Sequence, residues 1–185
     1  EAIKRMESGK KRQIRKSLAT GATIISKPSL DQVREFYRIL EKLYLTRVRK
    51  PLPSFSFFES FYNNKDAGLF LLIELKGKII GGIMCPVFDK RVIYEWYIAG
   101  EDGLHDGVYP STLATWAAID YALTNGYHHF DFMGAGKPGI AYGVRDFKAK
   151  FGGELVNYGR YVKINQPLKY KFAETGLRIL RKIKR

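Results

Sequence analysis

Cysteine is nearly absent. Cys85 is the single one among 185 residues, so no disulfide can form within the chain. A disulfide-stapled secreted scaffold is thereby excluded, and a reducing, cytoplasmic setting is the expectation. Cys85 itself falls in the apolar run Ile79 to Val87, which predicts a buried small hydrophobe rather than a nucleophile. No apolar stretch is long enough to span a bilayer; the longest runs are strand-sized. Histidine is scarce, with three in the chain. Two of these, His128 and His129, are adjacent, and neighbours on a strand point to opposite faces. With no cysteine or carboxylate spacing to complete a tetrahedral set, a metal centre is not expected. The Walker spacing is also missing. Gly134-Ala135-Gly136-Lys137-Pro138-Gly139 places a proline where Ser or Thr would hold magnesium, which argues against nucleotide hydrolysis. The first residue is Glu1 rather than Met, which predicts a fragment or a trimmed chain.

Negative charge is in short supply. Asp and Glu number 18 against 32 Lys and Arg, for a net charge of +14. The excess sits at the ends: residues 1–16 hold seven cations and residues 163–185 hold eight, while residues 17–162 are almost balanced. Basic ends predict contact with phosphate, whether on RNA, on an anionic lipid surface or on a phosphorylated precursor; no DNA contact is expected. Hydrophobic residues make up 45% and aromatic residues 14% of the chain, enough for a folded core.

The hydrophobic period changes along the chain. Residues 3–19 read as a basic helix stopping near Gly21, followed by a short β-rich run at 22–26. Ser29 and Gln32 have capping-box spacing ahead of Val33, Phe36, Tyr37, Leu40 and Leu43, predicting a helix from about Leu30 to Arg47. Pro51 and Pro53 break the chain. Ser54 then opens a short aromatic helix carrying Phe57, Phe58 and Phe61. Leu69–Leu75, Ile79–Val87 and Val92–Ile98 are continuous apolar runs joined by tight turns, hence an antiparallel meander covered on both faces. After a polar loop at 101–109, Pro110 opens a helix that Asn125-Gly126 ends. A strand is predicted at His129–Met133, a loop at Gly134–Gly143, two helical turns at Val144–Phe151 and a strand at Glu154–Ile164. A basic amphipathic helix fills residues 168–185. The expectation is an α+β (α/β) domain with a mixed, largely antiparallel central sheet flanked by helices. It would occupy 1–185 as one unit, with 1–21 as a basic helix leading in. That order resembles the acetyltransferase-like GNAT fold.

A coenzyme A enzyme of that fold has a Gln/Arg-x-x-Gly-x-Gly/Ala turn after its third long strand, whose amides hold the pyrophosphate at a helix N-terminus. Here the position reads Gly107-Val108-Tyr109-Pro110-Ser111. The motif is absent, Pro110 removes one donor amide, and no cofactor is expected. From Tyr127 to Tyr161 the pattern is different and more specific. Phe130-Asp131, Gly134, Phe147-Lys148 and Phe151-Gly152 match the Phe-Asp strand, Gly-rich loop and Phe-Lys-x-x-Phe-Gly helix of the FemABX aminoacyltransferases. Arg12-Gln13-Ile14-Arg15-Lys16 before Gly21 is similar to the basic helix entering that family's second domain. The resemblance covers most of the chain but only the second half of a typical member, so a preceding domain of similar fold is expected. It implies transfer of an amino acid from aminoacyl-tRNA to the stem peptide of a phosphorylated peptidoglycan precursor. Independently, the cations and apolar face of the C-terminal helix allow peripheral contact with an anionic membrane, the alternative being that its apolar residues pack on the sheet.

That transfer needs no covalent enzyme intermediate. The amine must lose a proton and the ester carbonyl oxygen must be stabilised as it becomes anionic. Lys148 is the candidate cation, with Phe147 at the same cleft, and the resemblance implies the same pair. Arg145 lies three residues before Lys148 and so shares its helix face. Asp131 and Asp146 are candidate bases or orienting groups. Tyr142, Tyr158 and Arg160 are candidates to line a substrate channel, and Glu95 and Tyr97 are expected to share a strand face. Two rivals stand beside aminoacyl transfer: an acyl-CoA-dependent N-acyltransferase of the same fold, and a non-catalytic module that docks RNA or lipid through its basic ends.

Overall fold

The computed structural model describes residues 2–159 and 161–183. Residues 1–154 form one compact unit and 155–185 another. In the first, helices α1 (Ala2–Arg5) and α2 (Ser8–Ala19) replace the single expected basic helix, with a break at Met6-Glu7. Strand β1 (Thr23–Ile25) follows, then α3 (Leu30–Leu43). The capping box forms: Ser29 Oγ accepts from the Gln32 amide, and the Gln32 side chain accepts from the Ser29 amide. Helix α3 does not run to Arg47 as an α-helix. Its last turn widens into a π-helical turn, Tyr44–Val48, that Arg49 ends in a left-handed conformation (φ 52°). Helix α4 (Phe55–Asn63) is the aromatic one.

The sheet holds β2 (Gly68–Leu75), β3 (Lys78–Phe88), β4 (Val92–Tyr94), β5 (Tyr97–Gly100) and β6 (His129–Asp131), with order β1-β2-β3-β4-β6 and β5 paired to β3. All pairs are antiparallel except β4 with β6. The expected third strand, Val92–Ile98, is thus two strands. β4 ends at Tyr94, the Glu95 amide donates to the Asp131 carbonyl, and the Trp96 amide donates back to Met84. Beyond this break β5 stays with β3, and the sheet opens between β5 and β6. Two-sided cover explains why the strands are apolar throughout. One face packs on α3 and α4 through Val33, Phe36, Leu40 and Phe58. The other packs on α2 and α5 (Pro110–Thr124) through Ile14, Leu113, Ala117 and Ala118. Cys85 is fully buried between them and burial pushes its thiol well up, in keeping with the packing role expected of it.

Helix α6 (Gly143–Ala149) is the short helix expected after the glycine loop. The strand expected at Glu154–Ile164 does not form: the described residues there are irregular and lie outside any ladder. Their alternating apolarity supplies a β-pattern, but a strand needs a hydrogen-bonded neighbour. The last helix, α7 (Pro167–Ile183), is amphipathic, with Leu168, Phe172 and Leu180 exposed.

Candidate active site

The break after β4 creates the site. Trp96 and Tyr97 both pack on Phe57, at ring distances of 5.5 and 6.4 Å, on the α4 side of the sheet. Glu95 points the other way, toward α5, where the Thr115 hydroxyl lies 3.4 Å from Oε2. The irregularity therefore corrects the expectation that Glu95 and Tyr97 share a face: an extra residue at a bulge resets the alternation. Glu95 is 4% exposed. Burial pushes its carboxyl above the ordinary glutamate range, and the Lys148 ammonium opposes that rise.

Lys148 reaches the same point from α6. Its Nζ lies 3.2 Å from Glu95 Oε1 and donates to the carbonyls of Phe132 and, at 3.3 Å, Gly134. A cation is thus held at the mouth of the opening by one buried carboxylate and two loop carbonyls. Arg145, its expected cationic partner, is used differently. Its guanidinium donates to Ala135, Ile140 and Lys137 carbonyls and clamps the glycine loop. Tyr142 immediately precedes α6 with its ring over Gly136, whose missing side chain leaves the room. The Asp131 carboxylate accepts from the Met133 amide at 2.6 Å, capping the turn where Met133 adopts φ 60°. Asp146 is exposed in the first turn of α6. Tyr158 belongs to the 155–185 unit and is exposed, and Arg160 lies outside the described residues.

Phe147 packs with Phe151 (5.3 Å) and lies 4.0 Å under the ammonium of Lys10 from α2. Lys10 is 7% exposed and bonds Thr112 Oγ1 (2.9 Å) and Gln13 Oε1 (3.1 Å). Burial lowers its pKa, with Asp102 opposing. Sequence reasoning missed Lys10. A cation on the apolar face of a helix, at i−4 to Ile14, was the available signal.

The same face of α2 meets the start of α5. Ser17 Oγ accepts from the Tyr109 amide at 2.9 Å, and Asp102 Oδ1 accepts from the Ser111 amide at 3.2 Å. The Lys16 side chain lies over Gly107. Two of the donors at this helix N-terminus, the Tyr109 and Ser111 amides, are met from within the chain, and one of the acceptors is a carboxylate. Among the described residues no group of three ligating side chains suits a metal, and no helix is long and apolar enough to cross a membrane.

A mixed sheet that splays at one strand break, covered by helices on both faces, is the architecture of the GNAT acyltransferases. The chain belongs to the family described as Acetyltransferase (GNAT) domain, which matches residues 4–149. No curated protein matches it in sequence. Among solved structures it is similar to FemX, with a TM-score of 0.68 at 16% identity, over 81% of this chain and 55% of FemX. It is also similar to a possible acetyltransferase from Clostridium difficile 630, with a TM-score of 0.58 at 11% identity, over 77% of this chain and 97% of that one. The ribosomal-protein-alanine N-acetyltransferase of Brucella melitensis biovar Abortus 2308 gives 0.55 at 13% identity, over 78% and 100%. At these identities the likeness establishes the fold.

Proposed function

We propose that this GNAT-class chain is an aminoacyltransferase that moves an amino acid from aminoacyl-tRNA to an amine of a phosphorylated peptidoglycan precursor. The observation that carries the proposal is the start of α5. A coenzyme A enzyme of this fold needs free amides there for a pyrophosphate. In this chain the Tyr109 and Ser111 amides are met by Ser17 and by the Asp102 carboxylate, which repels an anion. The FemX likeness and the Phe147-Lys148 tract point the same way.

In this scheme the amine nitrogen attacks the ester carbonyl, a C–N bond forms and the carbonyl oxygen becomes anionic. Lys148 supplies the compensating charge. Its weakest tether, the 3.3 Å bond to Gly134, is the one released as the ammonium turns to the oxyanion. The ester C–O bond then breaks and returns the hydroxyl to the RNA, while the amine proton passes to solvent or to that leaving oxygen. The exposed Leu168 and Phe172 of α7, beside Lys169 and Lys171, suit peripheral contact with an anionic membrane where such a precursor is lipid-linked.

The test mixes the protein with tRNA charged with labelled amino acid and with precursor, beside a parallel arm supplied with acetyl-CoA. Label is expected to pass from the RNA in wild type and not in Lys148→Ala. Family membership favours the alternative, acyl-CoA-dependent N-acylation. Calorimetric binding of coenzyme A, with acetyl transfer to the amine, would select that alternative and sink the aminoacyl one.

A further inference from the structure

The residue after Glu95 has no part in the site described above, yet it stands at the same opening. Trp96 is 44% exposed. It is one of two tryptophans in the chain, and its position is fixed from beneath. Phe57 meets the indole edge-on at 5.5 Å and 80°, and Tyr97 lies 5.6 Å away. Tyr97 in turn packs on Phe58 at 5.1 Å and on Tyr44 at 6.2 Å. The wall is therefore continuous with the core, and the indole is its exposed outer member. A surface tryptophan held in this way presents apolar ring surface to solvent without having to be ordered when a ligand arrives.

Tyr44 begins the π-helical turn, so the contact with Tyr97 anchors that turn beside the aromatic wall. Residues 44–50 carry Arg47, Arg49 and Lys50 and no acid. All three cations are exposed, and none has an ion-pair partner within 4.0 Å among the described residues. Single-turn π-helices are rare and tend to occur at functional sites. An exposed indole linked through Tyr97 and Tyr44 to a turn of uncompensated cations suits one ligand chemistry, a ring to stack and a phosphate to neutralise.

We infer that Trp96, with the cations of residues 44–50, forms a binding platform for a nucleoside phosphate, its base stacked on the indole and its phosphate on Arg47, Arg49 or Lys50. This deepens the transferase proposal and rests on it for the meaning of the ligand. Two sources share the chemistry: the terminal nucleotide of the RNA donor and the nucleotide of a nucleotide-linked acceptor. Trp96 and Glu95 are consecutive at the strand break and face opposite sides of the sheet, so the platform lies on the α4 side and Lys148 on the α5 side of the same break.

Binding is read without turnover, which separates this inference from the transfer assay. The probes are AMP and a short RNA ending in CCA in one arm, and UMP and a UDP-sugar in the other. Each is titrated against the whole chain by tryptophan fluorescence and by calorimetry. Binding in either arm is expected to quench the emission. Affinity is expected to fall roughly tenfold or more in Trp96→Ala, to be kept in Trp96→Phe, and to weaken with salt and in Arg47→Ala. Quenching confined to the first arm assigns the platform to the donor, and quenching confined to the second assigns it to the acceptor. If no probe quenches, or if a folded Trp96→Ala binds as wild type does, the platform is wrong even where aminoacyl transfer is observed. If nucleotides bind at Trp96 while charged tRNA yields no transfer, the platform stands and the proposed reaction fails.

Discussion

The ammonium of Lys148 lies 3.2 Å from Oε1 of Glu95, a carboxylate with 2% of its side chain exposed. The pair joins α6 to the residue at the sheet's break, so the cation at the opening is fixed by the same irregularity that makes the opening. Its stability effect has a definite sign. Glu95 titrates above the ordinary value of 4.5 in the folded chain. Its contribution is therefore complete below that value and is lost as pH rises through the raised one. Removing Lys148 deletes both lowering effects of that side chain and extends the window upward. Lys148→Ala is expected to cost about 3 kcal/mol near neutral pH, because a buried charge loses its partner. The cost should shrink as pH falls and Glu95, its carboxyl raised by burial, takes a proton. Denaturant melts of both proteins at acid and neutral pH measure this, and an equal penalty at the two would disprove it.

Lys10 gives the opposite slope. Burial lowers its pKa below 10.5, so its contribution to stability is present above that value and lost as pH falls through the lowered one. Lys10→Met keeps most of the packing on Phe147 and has no proton to lose. The difference in stability between wild type and Lys10→Met should move in favour of wild type as pH is raised from about 7.5 to about 10. Urea midpoints for the two proteins across that range provide the check, and parallel curves would show that the ammonium is not desolvated.

Local signals in the sequence were enough to place the helices and the first two strands of the meander, but not the break at Met6-Glu7 or the π-helical end of α3. Ser29 and Gln32 met within one turn, and the strands were apolar because α3 and α5 cover both faces. The break at Glu95 was not legible, because Val92–Ile98 is a plausible unbroken strand and what divides it is the parallel partner β6, far along the chain. For the same reason the sequence pointed to Lys148 as a candidate but not to Glu95's hold on it. Arg145 and Lys148 do share a helix face, but spacing could not say that the loop carbonyls of Ala135, Lys137 and Ile140 would take the guanidinium. The strand expected at Glu154–Ile164 had the right pattern without a partner.

Gly152 ends the turn after α6 at φ 84°, and a Cβ there would meet backbone atoms of Arg5 at 2.7 and 2.8 Å. The Glu7 amide also donates to the Lys150 carbonyl at 2.9 Å, so this turn is where the N-terminal segment docks. Gly152→Ala combines a left-handed conformation with a backbone clash and should cost about 2 kcal/mol or more. The distinguishing result is local: residues 1–8 should become sensitive to trypsin at Lys4 and Arg5 under native conditions. Global destabilisation with no early cleavage there would mean that the strain is taken up elsewhere.

Arg145 holds the glycine loop through three carbonyls from one planar group, a geometry that lysine cannot reproduce. The Gly134 carbonyl that tethers Lys148 lies at the start of this loop, so loosening the clamp should reach the cation. Arg145→Lys is expected to retain the charge and lose at least two of the bonds, at about 1 kcal/mol each. Thermolysin should then cut before Ile140, which is 58% exposed, faster than in wild type. If charge is what matters at this position, Arg145→Lys will behave as wild type and Arg145→Ala alone will be impaired. If the clamp matters, the two variants will be cleaved at similar rates and both will transfer slowly, with kcat reduced more than KM rises, because Lys148 is misplaced rather than absent.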